Sequence, residues 1–449
     1  MGYASPANPS LEKEQEELKM NNQTYFLHNK NDTSWIGSIA AAGAMVGGLI
    51  GAPLASMYGR KTALLFNCLP FILGWSLILF ANTTWMIISG RLLTGMAGGF
   101  ASGVVSIYSM EISPIHMRGA VGFCFALMGS VGYALASILG IFLEWRMLAM
   151  ACGIPSVIMP FLMIFAPETP VYMMSKYGYS KKTITTLQKL RRGENVTSEL
   201  NEISTQAQNK APLIVSSEQL TSPIVYKPLL LLMALFLFQQ LSGPTAVGFY
   251  QTEIFKKSGS SLNPRVCNGI ASIPPLITGI ISSLLIDKCG RKMLLYTSGV
   301  GIISSLSLLS FFFWNNSNAS FVQNYGWLAL VSLIGFQGFL NFGFNSIPWV
   351  LVAEMTPYFA KGFISSICTC FAWFFAFFIS KIFNDMVDLL TPHGAYLFFA
   401  IMTLVGVLFV KFLIPETNRK TTEEILAHFI GKKVPEDRKL SVFVSNLEP

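Results

Sequence analysis

Two adjacent amides, Gln239 and Gln240, stand near the middle of Pro228–Ile254, a stretch whose other residues are mostly apolar. The stretch is long enough to cross a bilayer hydrocarbon core with some tilt. An amide facing hydrocarbon without a partner costs several kcal/mol, so both side chains should turn to a bundle interior or a wet cavity. Leu241, Ser242, Gly243 and Pro244 follow at once. Pro244 has no N–H for the carbonyl one turn back, which predicts a kink or local unwinding beside the amides. Paired amides next to a helix break at membrane depth can hold a polar solute by hydrogen bonds alone. The same two groups can equally tie one membrane helix to the next.

The other residue types offer little covalent chemistry. His28, His116, His393 and His428 are scattered, which argues against a metal site. Cys68, Cys124, Cys152, Cys267, Cys289, Cys368 and Cys370 lie mostly within apolar segments and form no CxxC, so they read as small buried thiols. There is no Ser/His/Asp grouping, no P-loop and no GxGxxG before a helix. The chain therefore reads as a non-enzyme that needs no cofactor and no metal. A net charge of +8 could suggest nucleic acid, but the basic residues form no single patch and lie in short loops between apolar segments.

Those segments define the class. Of 449 residues, 52% are hydrophobic and 12% charged, where a soluble domain carries roughly 25% charged residues. Mean hydropathy is +0.52. Eleven apolar segments run at 35–57, 63–81, 85–110, 119–143, 147–166, 228–254, 266–286, 293–313, 326–353, 362–383 and 395–414. Residues 1–34 are polar and lack a basic start followed by an apolar run, so no signal peptide is read there. Residues 167–227 are too polar to span, and Lys176–Arg192 within them has helical composition. Placing the 58–62 loop inside puts 21 Lys and Arg on inner segments and 7 on outer ones. That satisfies the positive-inside rule, with residues 1–34 outside and the C-terminus in the cytoplasm.

Three marks recur in order. Tyr58–Lys61 (YGRK) is matched by Asp287–Lys292 (DKCGRK), Glu111–Gly119 by Glu354–Gly362, and Pro167–Pro170 (PETP) by Pro415–Asn418 (PETN), at offsets of 231, 243 and 248 residues. Two homologous halves in parallel are one way to build a transporter around a midplane site. The expected division is an outer segment 1–34, an N-terminal half 35–166 of five spans and a cytoplasmic helical loop 167–227. A C-terminal half 228–414 of six spans and a cytoplasmic tail 415–449 complete it. The second half has two spans before its GRK mark and the first half has one. Residues 1–34 therefore read as the end of a first helix followed by an outer loop. The repeat predicts about 20 apolar residues upstream, ending at Gly2–Pro6, at the length needed to span. Without that wall, the eleven-span chain is expected to insert and to transport poorly.

With these marks, QQLSG (Gln239–Gly243), IPW (Ile347–Trp349) and IPETNRKT (Ile414–Thr421), the chain resembles the sugar porters of the major facilitator superfamily over nearly its full length. It is most similar to the insect facilitated trehalose transporter group. The resemblance implies an all-α membrane fold of two six-helix halves, here with eleven spans, that rock about a central sugar site. It implies that Gln239 and Gln240 bond sugar hydroxyls. Thr245 stands where the family has Asn, Phe249 and Tyr250 match an aromatic outer gate, and Trp349 and Trp373 match site tryptophans. Asn341 replaces an acid of the hexose carriers, and Asn345 follows at i+4 on the same side. Ala126, Pro275 and Ala372 stand where the family has polar residues, which puts simple glucose specificity in doubt. Both tryptophans would also fit core or lipid packing.

Arg60, Glu111, Arg118 and Glu168 crowd the inner ends of one half, and Asp287, Arg291, Glu354, Lys361 and Glu416 those of the other. They are expected to pair across the halves and so favour an outward-open state, collectively, because exposed pairs are worth only about 0–1 kcal/mol each. The resulting expectation is a monomeric plasma-membrane transporter moving trehalose or a hexose down its gradient, with lipid and a small sugar as its partners. Alternatives are a non-transporting sugar sensor, an inactive truncated homologue, or a proton-coupled symporter. The topology is testable. Glycan should attach at Asn22 or Asn31 and at Asn315 or Asn318, and never at Asn195. Glycosidase treatment of single Asn→Gln variants reads this out, and a glycan on Asn195 inverts the topology.

Overall fold

The computed structural model describes residues 2–21, 30–114, 117–191, 196–208, 217–259, 262–357, 360–418, 420 and 422–430. Apolar composition and membrane-length runs dictate helices, and the described elements are helical throughout. They are α1 (Ala4–Met20), α2 (Lys30–Tyr58), α3 (Arg60–Leu79), α4 (Thr84–Ile112), α5 (Arg118–Phe142), α6 (Trp145–Phe165), α7 (Pro170–Tyr177), α8 (Lys181–Leu190), α9 (Thr197–Gln208) and α10 (Ser217–Leu220). The second half follows with α11 (Pro223–Leu241), α12 (Pro244–Lys257), α13 (Pro264–Ala271), α14 (Pro274–Cys289), α15 (Arg291–Trp314), α16 (Ala319–Tyr325), α17 (Trp327–Phe339), a π-turn (Leu340–Phe344), α18 (Ile347–Met355), α19 (Lys361–Leu413) and α20 (Thr422–Ile430).

Nine helical segments among the described residues are long and apolar enough to cross a membrane. One of them, α19, is 53 residues long and bends at Thr391, whose φ is 63°, just before Pro392. It holds the last two expected segments, which a bend separates where an eleven-residue loop was expected. The 119–143 segment falls on α5, of which Leu127–Phe142 is the apolar part. The helix expected over Lys176–Arg192 is two, because Gly178, at φ 60°, caps α7 and Ser180 starts α8.

The repeat is visible in the backbone. α3 and α15 each begin after a glycine at positive φ, Gly59 at 97° and Gly290 at 85°. L-residues rarely adopt that conformation, which explains why GRK marks both turns. The end of the bundle carrying these turns is called here the basic end, and the opposite one the far end.

Residues 4–20 were expected to be mainly loop, and they form α1. Ala4, Ser5, Pro6, Ala7, Asn8, Ser10 and Leu11 are buried on all sides of the first turns and Gln15 is buried beyond them, while Lys13 and Glu17 stay exposed. Helix α1 lies against α2, α5, α6, α12 and α13 at the far end. Tyr3 donates to the Trp145 carbonyl at 3.2 Å and Trp145 Nε1 donates to Glu14 at 2.5 Å. A segment with so many partners gains more by packing than by staying open.

In the first half α2 and α4 touch backbone to backbone. A Cβ on Gly47 would sit 1.8 Å from the Met96 carbonyl oxygen, one on Gly95 2.0 Å from that of Ala40, and one on Gly99 2.1 Å from that of Ala44. Gly43–Gly47 and Gly95–Gly99 are thus two facing GxxxG pairs, the small-residue contact that lets membrane helices approach closely. Gly95→Leu should abolish recovery of monodisperse protein from membranes. Gly98→Ala, at a position with nothing within 4 Å, should not. Size-exclusion profiles of the two variants check this, and equal yields contradict it.

Candidate functional site

Two helix breaks meet, one inside each of the membrane-length segments Pro223–Lys257 and Trp327–Met355. The first is the turn predicted from Pro244: α11 stops at Leu241, Gly243 takes φ 85°, and Pro244 opens α12. The second lies in the π-turn and the two residues after it, between α17 and α18. Breaks free backbone groups that lipid cannot satisfy. Side chains supply the partners. Gln239, 2% exposed, donates from Nε2 to the carbonyls of Phe344 at 2.8 Å and Asn345 at 3.1 Å. Ser282 Oγ donates to the Phe342 carbonyl and Ser298 Oγ to that of Phe339. Ser298 Oγ also accepts from the N–H of Phe344.

The remaining polar residues predicted for the site gather beside this junction. Gln240 is half-buried. Its Oε1 accepts from Thr245 Oγ1 at 3.0 Å, and its Nε2 lies 3.4 Å from Gln239 Oε1. Asn345, exposed, donates to Asn341 Oδ1 at 3.1 Å. Trp349 stays 40% exposed while packing edge-on against Phe236, with centroids 4.7 Å apart. Trp373 lies half-buried on α19 and enters no described ring pair. Phe249 and Tyr250 are buried. Tyr250 stacks on Phe383 with centroids 5.3 Å apart, and its hydroxyl lies 3.4 Å from the Ser380 carbonyl.

The charged marks pair within each half here, where crossing pairs were expected of an outward-open state. Arg60 pairs with Glu111 at 2.8 Å, and Arg291 with Glu354 at 2.7 Å and Asp287 at 3.3 Å. The ion pairs described at the basic end therefore each stay within their own half rather than crossing. The reason is local. Glu168 accepts from the backbone N–H groups of Arg60, Lys61 and Thr169, capping the start of α3. Glu416 does the same for Arg291, Lys292, Thr417 and Asn418 at the start of α15. A helix N-terminus is a ready anion site. Burial alone pushes the Glu416 carboxyl up, but these N–H groups outweigh it and hold it below the usual carboxylate range. Lys361 is exposed and makes no ion pair among the described residues. The side chain of Arg118 lies outside the described residues, as do Asn22, the side chain of Asn31, and Asn195. Asn315 and Asn318 bracket the far-end turn before α16, where Asn318 Oδ1 caps the helix.

Cross-half bonds appear instead at the far end. Arg265 pairs with Glu144 at 3.2 Å, and Ser34 Oγ donates to the Lys381 carbonyl at 2.9 Å. Hydrogen bonds from Ser10 and Arg265 hold the Glu144 carboxyl below its usual range. Tyr133 Oη donates to Gln251 Oε1 at 3.1 Å, which also accepts from Gln337 Nε2 at 2.8 Å. Ser5 Oγ meets Thr252 and Asn268. The sequence reading missed this seam. Gln251 and Gln337 are amides in apolar spans, the same signal that singled out Gln239 and Gln240.

A family model described as "Sugar (and other) transporter" matches residues 3–429. The chain is 33% identical over 451 residues to the facilitated trehalose transporter Tret1 of Polypedilum vanderplanki, covering 100% of this chain and 87% of that protein. It is 33% identical over 455 residues to the solute carrier family 2, facilitated glucose transporter member 8, of Mus musculus, covering 96% and 91%. Other trehalose transporters it matches are longer, and it spans 47% of the one from Drosophila grimshawi. The xylose transporter XylE from E. coli, solved in an inward open conformation, superposes with a TM-score of 0.77 over 95% of this chain and 97% of that one, at 20% identity. Marks, fold and matches agree that the chain belongs to the sugar (and other) transporter family.

Proposed function

We propose that this chain carries trehalose or a hexose across the plasma membrane, down the sugar's gradient and without a cofactor, by exposing a central site to each side in turn. The observation that carries the reading is the meeting of two helix breaks with Gln240, Thr245, Asn341, Asn345 and Trp349 around them. Gln239 is occupied with the backbone of the second break, so it positions the site. Gln240, Asn341 and Asn345 keep polar atoms for sugar hydroxyls, and Trp349 offers a face to a ring. The trehalose and glucose transporters matched above are the source of the two candidate substrates. Phe249 and Tyr250 are the gate at the far end, which we take as the outer side.

The reading assigns the charge clusters a supporting role. Arg60, Glu111 and Glu168, and Asp287, Arg291, Glu354 and Glu416, make each half a rigid body at its cytoplasmic end. Arg118 and Lys361 would join them across the halves only when that end closes. Proton coupling is the second reading, since one structural neighbour is a proton:xylose symporter. Acidification that leaves trehalose uptake unchanged disfavours it.

Gln240→Ala should lower sugar uptake without lowering the amount of protein at the surface. Losing one hydrogen-bonding arm in a desolvated site costs about 0.5–1.5 kcal/mol, or roughly two- to tenfold in apparent affinity. Uptake of labelled trehalose and glucose, normalised to surface protein, measures it. Unchanged kinetics move Gln240 to the role of an interhelical tie, and no uptake of either sugar by the unsubstituted chain refutes the transport reading.

A further inference from the structure

The far-end seam between the halves is closed by polar groups where apolar packing would be cheaper. Gln251 is 0% exposed and Gln337 4% exposed. Gln251 Oε1 takes two hydrogen bonds, from Tyr133 and Gln337, yet its Nε2 is buried with no partner. Exchanging nitrogen and oxygen on both amides restores bonds among the three side chains and leaves an acceptor orphaned instead. Either way one polar end of Gln251 is unmet, a condition that costs stability in a buried site. A seam built only to hold the halves shut has no use for that orphan.

Position gives the orphan a meaning. Gln337 precedes Asn341 by four residues, as Asn341 precedes Asn345 and Asn345 precedes Trp349. The amide cluster is therefore the next rung beyond the central site toward the far end, about 6 Å along the helix axis. Its members come from α5 in one half and from α12 and α17 in the other. When the halves part at this end, the Tyr133 hydroxyl leaves the two amides, which stay together in their own half, and all three line the path to the centre.

We infer that Tyr133, Gln251 and Gln337 form a second hydroxyl-binding subsite, outward of the Gln240–Asn341–Asn345 site, that holds the second ring of a two-ring sugar as it enters. A sugar hydroxyl donates and accepts, so it satisfies Gln251 in either orientation of its amide. The subsite rests on the sugar-transport reading and adds to it a reason for selecting two rings over one. A monosaccharide held at the central site does not reach it.

The test is Gln251→Leu in the full chain, with KM for labelled trehalose and for labelled glucose and with surface protein quantified. KM for trehalose should rise roughly three- to tenfold while KM for glucose stays within about twofold. An equal rise for both sugars, or none for either, overturns the subsite and leaves the seam as a latch. If Gln251→Leu does not reach the surface, Tyr133→Phe, which removes only the hydroxyl, should give the same split. Uptake of neither sugar by the unsubstituted protein overturns the transport reading and the subsite with it.

Discussion

A backbone carbonyl freed by a helix break inside a bilayer has no water to turn to. This chain breaks α11 from α12 at Gly243–Pro244 and unwinds again after α17, at nearly the same depth. The Gln239 amide, at the end of α11, serves the second break by donating to the carbonyls of Phe344 and Asn345, while Ser242 Oγ serves the first by donating to the Gln239 carbonyl. The two broken helices are thereby fastened to each other, and Gln240, Asn341 and Asn345 lie beside the junction. The breaks survive because their polar groups are met by Ser242 at the first and by Gln239, Ser282 and Ser298 at the second.

The same rule shapes the ends of each half. Gly59 and Gly290 turn the chain so that the first N–H groups of α3 and α15 point at Glu168 and Glu416. Each carboxylate closes its own half, and the arginines that follow bind Glu111 and Glu354 of that half. Rigid halves are what an alternating motion needs. The bonds that must exchange are then the few that cross between them, such as Arg265–Glu144 and the Gln251 cluster.

Much of this could be read from the chain. Periodic marks gave the two halves, apolar length gave the spans, and Pro244 gave the first break. Adjacent amides could not be told apart, because residues at i and i+1 point to different sides of a helix. Only the fold decides that Gln239 meets a backbone and Gln240 does not. The π-turn left no clear composition signal in a run of Gly, Phe and Asn. Arg60 and Arg291 have carboxylates of their own half 51 and 63 residues away, and sequence alone does not say whether such a pair forms within the half or across to the other one. α1 was hidden for another reason. Its buried part mixes Ala with Ser, Asn and Gln, which reads as loop until Trp145, Thr252 and Asn268 are brought against it.

The central claim is a division of labour between neighbours: Gln239 holds the breaks together, and Gln240 holds the solute. The most direct measurement is thermal unfolding of purified Gln239→Leu and Gln240→Leu proteins, each with and without trehalose or glucose. Gln239→Leu should melt several degrees lower without sugar, because the buried Phe344 carbonyl loses its donor at a cost of about 1–3 kcal/mol and the partly buried Asn345 carbonyl loses the same donor. Gln240→Leu should melt near the unsubstituted protein without sugar and lose the sugar-induced rise. Equal melting of the two variants without sugar, or a full sugar-induced rise in Gln240→Leu, would contradict the account.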